Sequence, residues 1–249
     1  MLTPRVIGHV GTGPDSLPSS KIQRNRTRME KSRIAGQPVS WGINYLPGWG
    51  VQLSAATVLD EMRQLGIVAT EYQPGLFPPD AASARELLSK YGVRAIAGWV
   101  PAYLYGDDLQ RSLEAIRPTL AFLNELGADI ATLGAIGPQQ EFEKRLELSP
   151  AQWDRMYAGL DRLDALCREY RLTAALHPHV GTVVETPSDI TKVQQNTGMG
   201  FCYDSGHIFC GGGDPVEMFE QLQERIVHVH LKDVNLAAGE GLRRRTTTW

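Results

Sequence analysis

The chain is poor in cysteine and has no long apolar run and no strong excess of one charge. Three cysteines occur in 249 residues, Cys167, Cys202 and Cys210, with no Cys-x-x-Cys spacing. An odd, widely spaced set excludes a disulfide framework and a structural zinc knuckle, and a reducing cytoplasm is the expected compartment. No apolar stretch approaches the roughly 20 residues that span a bilayer, so no membrane partner is expected. A formal net charge of -3 gives no general attraction to nucleic acid. Gly42 is followed by Asn44 and Trp49, so the first strand-like run carries no Gly-x-Gly-x-x-Gly phosphate fingerprint.

What the sequence does have is histidine in the right places. Five of its six histidines fall in three short clusters in the C-terminal third. These are His177 and His179, His207, and the pair His228 and His230, each at the end of an apolar run. Asp204 precedes His207 in Asp204-Ser-Gly-His207. Imidazole and carboxylate groups gathered from separate strand ends suit a divalent cation such as zinc, manganese, iron or cobalt. A single buried histidine is more simply a satisfied core residue. Three converging clusters favour a metal site, with His177, Asp204 and His230 as ligands.

Residues 1–37 read as a basic leader, disordered on composition, with Arg5, Lys21, Arg24, Arg26, Arg28, Lys31 and Arg33 against Asp15 and Glu30. From residue 38 to 235, short β-rich runs alternate with segments of helical periodicity. Strands are expected at 39–45, 67–72, 94–100, 129–135, 172–177, 199–204 and 226–233. Helices are expected at 54–65, 81–91, 109–126, 150–170, 188–195 and 215–224. Ser54, Ser149 and Asp214 suit N-caps, and Gly66, Gly92 and Gly127 suit helix ends. This alternation predicts parallel βαβ units. Polar or aromatic residues recur at strand ends: Asn44, Glu71, Trp99, His177, Asp204, His230 and Lys232. That pattern selects a TIM (β/α)8-type barrel over an open doubly wound sheet. Only seven strands are found, so the barrel is expected to stop after the seventh, with 236–249 an irregular tail.

The motifs Trp41-Gly-Ile-Asn44, Thr70-Glu-Tyr-Gln-Pro-Gly75, Gly98-Trp-Val-Pro101, Leu176-His-Pro-His-Val-Gly-Thr182, Asp204-Ser-Gly-His207, Gly212-Gly-Asp-Pro215 and His228-Val-His-Leu-Lys-Asp233 resemble the xylose-isomerase-like TIM-barrel family of sugar phosphate isomerases and epimerases. Within it the chain is most similar to the inosose dehydratases. The resemblance implies a divalent metal (manganese, cobalt or zinc) held by His177, Asp204, His230 and a glutamate from an eighth strand. The epimerases usually carry glutamate where this chain has His177, which points toward dehydration. The implied reaction is loss of water from a keto-polyol in sugar or inositol metabolism. His179 or Glu71 would serve as base, and His207 or Lys232 as acid. Trp41, Asn44, Trp99 and Asp233 would contact the polyol or sugar substrate. The alternatives are a sugar phosphate isomerase or epimerase on the same fold, and a truncated barrel without catalytic activity. A homo-oligomer is left open.

Overall fold

The computed structural model describes residues 34–42, 50–138 and 145–246. Its centre is a sheet of six parallel strands in sequential order: β1 (Ala69–Tyr72), β2 (Arg94–Ala102), β3 (Ile130–Ala135), β4 (Thr173–Leu176), β5 (Phe201–Asp204) and β6 (Ile226–His230). α1 (Ala55–Leu65) precedes β1; α2 (Ala81–Lys90), α3 (Leu109–Leu126), α4 (Pro150–Glu169), α5 (Pro187–Asn196), α6 (Ser205–Cys210) and α7 (Pro215–Leu222) return the chain between strands; and α8 (Leu236–Arg243) follows β6. Parallel neighbours need such crossovers, and sequential order with one hand of crossover curls the sheet. The result is a curled half-barrel of TIM-barrel type.

Local chemistry accounts for the helix ends. Ser54, Asp80, Asp108, Ser149 and Asp214 each accept hydrogen bonds from backbone N–H groups in the first turn of their helix. Ser149 and Gln152 complete a reciprocal capping box before Pro150. Gly66 and Gly127 stand in the left-handed conformation just past α1 and α3. Outward strand residues Val100, Leu133, Leu176 and Phe201 are buried in one core with Leu120, Leu123, Met156, Leu160 and Leu163 from α3 and α4. A second cluster joins Val58, Leu59 and Met62 to Phe77, Ala84, Leu88 and Val93. No helix among the described residues is long and apolar enough to cross a membrane.

Three expectations are corrected. The β-rich run at 39–45 does not begin with a strand; Pro38–Trp41 is a 3-10 helix. Pro38 fixes a helical φ, the Gln37 side chain accepts from the Val39 N–H at 2.6 Å, and Gly42 ends the turn at φ 73°. The strand position is taken by Gly36, assigned to the leader on composition, which forms an isolated parallel bridge to Thr70. The tail is not irregular throughout, because Asn235 caps α8 through the Ala238 N–H. Beyond that helix Arg245 reaches both oxygens of Glu185 at 2.7 Å, tying the tail to the loop after β4. The rest of the basic leader, residues 1–33, lies outside the described residues.

Candidate metal and active site

Period-two alternation puts every second strand residue on the concave face. Glu71 on β1, Trp99 on β2, Gly134 on β3, His177 just past β4, Cys202 and Asp204 on β5, and His228 and His230 on β6 share that face. Their mutual contacts follow. This interior is polar where many barrels are filled with branched apolar residues.

Asp204 is fully buried, and its two oxygens do different work. Oδ1 accepts the His207 N–H at 2.9 Å and so caps α6. Oδ2 lies 3.1 Å from His177 Nε2, 3.4 Å from His230 Nδ1, 2.7 Å from Lys232 Nζ and 4.0 Å from His207 Nε2. Glu71 completes the other side: its Oε1 lies 2.6 Å from His228 Nε2 and 2.7 Å from His230 Nε2. His230 therefore stands between two buried carboxylates. Ser205 Oγ bonds both the N–H and the carbonyl of Lys232, so the two motifs are tied backbone to side chain. Gly206 is needed there, since a Cβ would lie 2.9 Å from Lys232 Cβ.

The charges follow from this packing. Burial opposes ionisation of Asp204, but His207 beside it, hydrogen bonds from His177 and His230, and the Lys232 ammonium hold its carboxyl well below the usual range. Burial also opposes the Glu71 carboxylate, and hydrogen bonds from His228 and His230 outweigh it in the same direction. Burial works against a charge on His230, yet Cys202, Asp204 and Glu71 around its ring push it up to about 12. Burial takes His177 down to about 4 and His179 down to about 3, and holds His207 well below its ordinary value. These three are neutral at pH 7.

His179 Nδ1 lies 2.7 Å from the Val180 carbonyl oxygen. A carbonyl only accepts, so Nδ1 carries the proton and Nε2 keeps a lone pair. The His179 ring stacks against His207 at 3.7 Å between centroids. Trp99 meets His177 edge-on at 5.7 Å and lies 6.0 Å from His179. Its indole passes over Gly134, where a Cβ would fall 2.0 Å from a ring carbon. Gly134→Ala is expected to displace the indole and to cost about 1–3 kcal/mol. An unchanged melting temperature together with unchanged tryptophan fluorescence would sink that reading.

The structure gathers His177, His179, His207, Asp204, His230, Glu71 and Lys232 in one cluster, with Trp99 at its side. Trp41 is not brought there. It packs against the α1 cluster, and its Nε1 donates to Glu61 at 2.7 Å, because the 3-10 turn carries it to that helix. Asp233 is exposed and accepts the Val234 N–H, bracing its own loop rather than facing the cluster. Asn44 lies outside the described residues. Two interior residues were not singled out as site residues from sequence. His228, read as core, bonds Glu71. Cys202 groups with the ring nitrogens of His177 and His230, these atoms lying within 4.8 Å of one another. Its position two residues before Asp204, on the same face of the strand, was the available signal.

A family model described as xylose isomerase-like TIM barrel matches residues 59–247. The chain belongs to this family. Members similar to it include the rhizopine catabolism protein MocC of Rhizobium meliloti, 34% identical over 217 residues, covering 84% of this chain and 66% of that protein. The inosose dehydratase of Geobacillus kaustophilus (strain HTA426) is 33% identical over 233 residues, covering 87% of this chain and 75% of that enzyme. The chain thus spans about two thirds to three quarters of the length of these relatives. Among solved structures, L-ribulose 3-epimerase superimposes with a TM-score of 0.61 at 17% identity, covering 81% of this chain and 70% of that one. The IOLI protein with a bound zinc atom gives 0.58 at 15% identity, covering 74% and 69%. These two show likeness of fold.

Proposed function

We propose that the chain forms the metal-dependent site of a lyase that removes water from a cyclic polyhydroxy ketone of the inosose type. The observation that carries this is the spacing around Asp204 Oδ2, with ring nitrogens at 3.1 and 3.4 Å. Ligand atoms on a tetrahedral cation with bonds of about 2.1 Å stand about 3.4 Å apart, so the two contacts of Asp204 Oδ2 are compatible with His177, Asp204 and His230 as ligands. In the metal-free protein the imidazolium of His230 and the Lys232 ammonium balance the two buried carboxylates, the charge a divalent cation would otherwise supply. The similarity to inosose dehydratase supports the substrate class.

A divalent cation bound there supplies a Lewis acid that polarises the ketone. His179, neutral and with its Nε2 lone pair, is the base for the proton next to the carbonyl. Burial keeps that nitrogen unprotonated throughout the neutral range. The electrons of the broken C–H bond form the new C=C bond as the β-hydroxyl departs. Lys232, whose side chain is 40% exposed at the mouth, gives the proton with which that hydroxyl leaves as water. His207, buried against His179, holds the base ring in place. Trp99 supplies a flat apolar face and an indole N–H that has no acceptor among the described residues. Glu71 is engaged by two imidazoles and is not the base.

Metal analysis of the purified chain and product analysis with a keto-inositol test this. One divalent ion per chain and a product lighter by one water are expected. His230→Ala is expected to lose the ion while keeping its fold. A product of unchanged mass with a shifted carbonyl would replace dehydration by isomerisation. Stoichiometric metal in the His230→Ala protein would remove His230 from the ligand set.

A further inference from the structure

Glu71 and His230 are 159 residues apart in sequence and come from the first and last strands of the sheet. A carboxylate oxygen only accepts hydrogen bonds, so both imidazoles on Glu71 Oε1 carry their proton on Nε2. The nitrogen of His230 left to face Asp204 is then Nδ1, at 3.4 Å. Glu71 is 6% exposed, so this bond is made away from competing water. His228, bound to the same oxygen, fixes the carboxylate in turn.

The other imidazole beside Asp204 lacks such support. His177 Nδ1 is buried and has no hydrogen-bond partner among the described residues. Of the two rings flanking Asp204 Oδ2, His230 alone has its far nitrogen on a carboxylate. A histidine that binds a cation through one nitrogen gains basicity and a fixed ring plane when the other donates to a carboxylate.

We infer that Glu71 is a positioning residue for the cation site: it keeps the proton of His230 on Nε2 when a cation displaces the one on Nδ1, and it aims Nδ1 at the place where Asp204 and His177 converge. Glu71 does not touch the cation or the substrate. Its carboxylate sets the affinity for the cation through His230, and His228 keeps that carboxylate from turning away. The inference rests on the cation reading proposed above.

The test uses the full chain and zinc alone as probe. Glu71→Gln keeps the size of the side chain and removes its charge, and is expected to weaken zinc binding about 10–100-fold. Nitrogen-15 NMR of histidine-labelled protein supplies a readout that loss of packing would not produce. Zinc-loaded wild type is expected to show His230 bound through Nδ1 with a proton on Nε2. Glu71→Gln is expected to show a mixture of the two tautomers when metal-free. Zinc affinity within twofold of wild type in a folded Glu71→Gln protein would overturn the inference and leave the cation site standing. Zinc on Nε2 of His230 in the wild type would overturn it even if the variant fails to fold. A wild type that folds but binds no zinc would overturn both the inference and the reading beneath it.

Discussion

Asp204→Asn is expected to abolish stable metal binding, with affinity falling at least about 100-fold, and to abolish dehydration with it. The substitution separates the two oxygens of this residue. The remaining amide oxygen can still accept the His207 N–H and cap α6, as Asp204 Oδ1 does. The other position loses the negative charge that faces His177, His230 and Lys232. Asp204→Ala removes the cap as well, so it is expected to be less stable than the Asn variant by about 1 kcal/mol. Isothermal titration with zinc and a urea melt of both variants measure the two effects separately. If Asn and Ala lose metal equally but also lose equal stability, the cap contributes nothing. If Asn retains full affinity, the charge on Oδ2 is not what holds the cation.

The metal-free protein is expected to be most stable near pH 6.5–7 and to weaken on both sides, for different reasons. Burial holds His177 at about 4 and His179 at about 3, and keeps His207 low as well. In the unfolded chain each titrates near about 6.5. Between those values the unfolded chain binds protons that the folded one refuses, so stability falls as pH drops from about 6.5 toward 4. The uptake on unfolding approaches three protons, one for each of these rings. Below about pH 4 the depressed Glu71 and Asp204 add a further loss, since their stabilisation exists only above the unfolded carboxylate value. His230 has the opposite sign. Held up to about 12, it stabilises fully below about 6.5, and that contribution drains away as pH rises toward 12. Urea midpoints from pH 4 to 9 in the presence of a chelator test this. A flat profile between pH 6.5 and 4.5 would show that the three rings are not buried in their neutral form. Loss of the alkaline limb in His230→Ala would assign that limb to its residue.

Much of the arrangement was legible because its causes are local. Five of the six strands fall within runs whose composition and length mark them as strands, β2 runs two residues past its expected end, and α3 matches its periodic segment residue for residue. Strand parity put His228, His230 and Lys232 on one side of their run, because side chains alternate with a fixed period of two. Where sequence reading failed, a neighbouring residue decided the matter. The apolar run around Trp41 reads as a strand until Pro38 and Gly42 impose a turn, and that turn sends the indole to Glu61. The segment around Leu236 is too short to read as a helix without the Asn235 cap and the helix it packs beside.

The sequence by itself determined a repeating strand–helix chain with imidazoles and carboxylates at its strand ends, and the motifs of its family. Only the tertiary structure decided which of these groups meet. Glu71 was a free candidate for base, salt bridge or hydroxyl binder until the curl of the sheet brought β1 to β6. Its pairing with His228 spans 157 residues. That distance is closed by the registers of the intervening strand pairs, including shifts after Thr70 and after Phe201. Each register is set by packing between strands and helices, so no local stretch of sequence encodes their sum. The same summation makes His230 the ring held from both sides, by Glu71 on one nitrogen and Asp204 on the other.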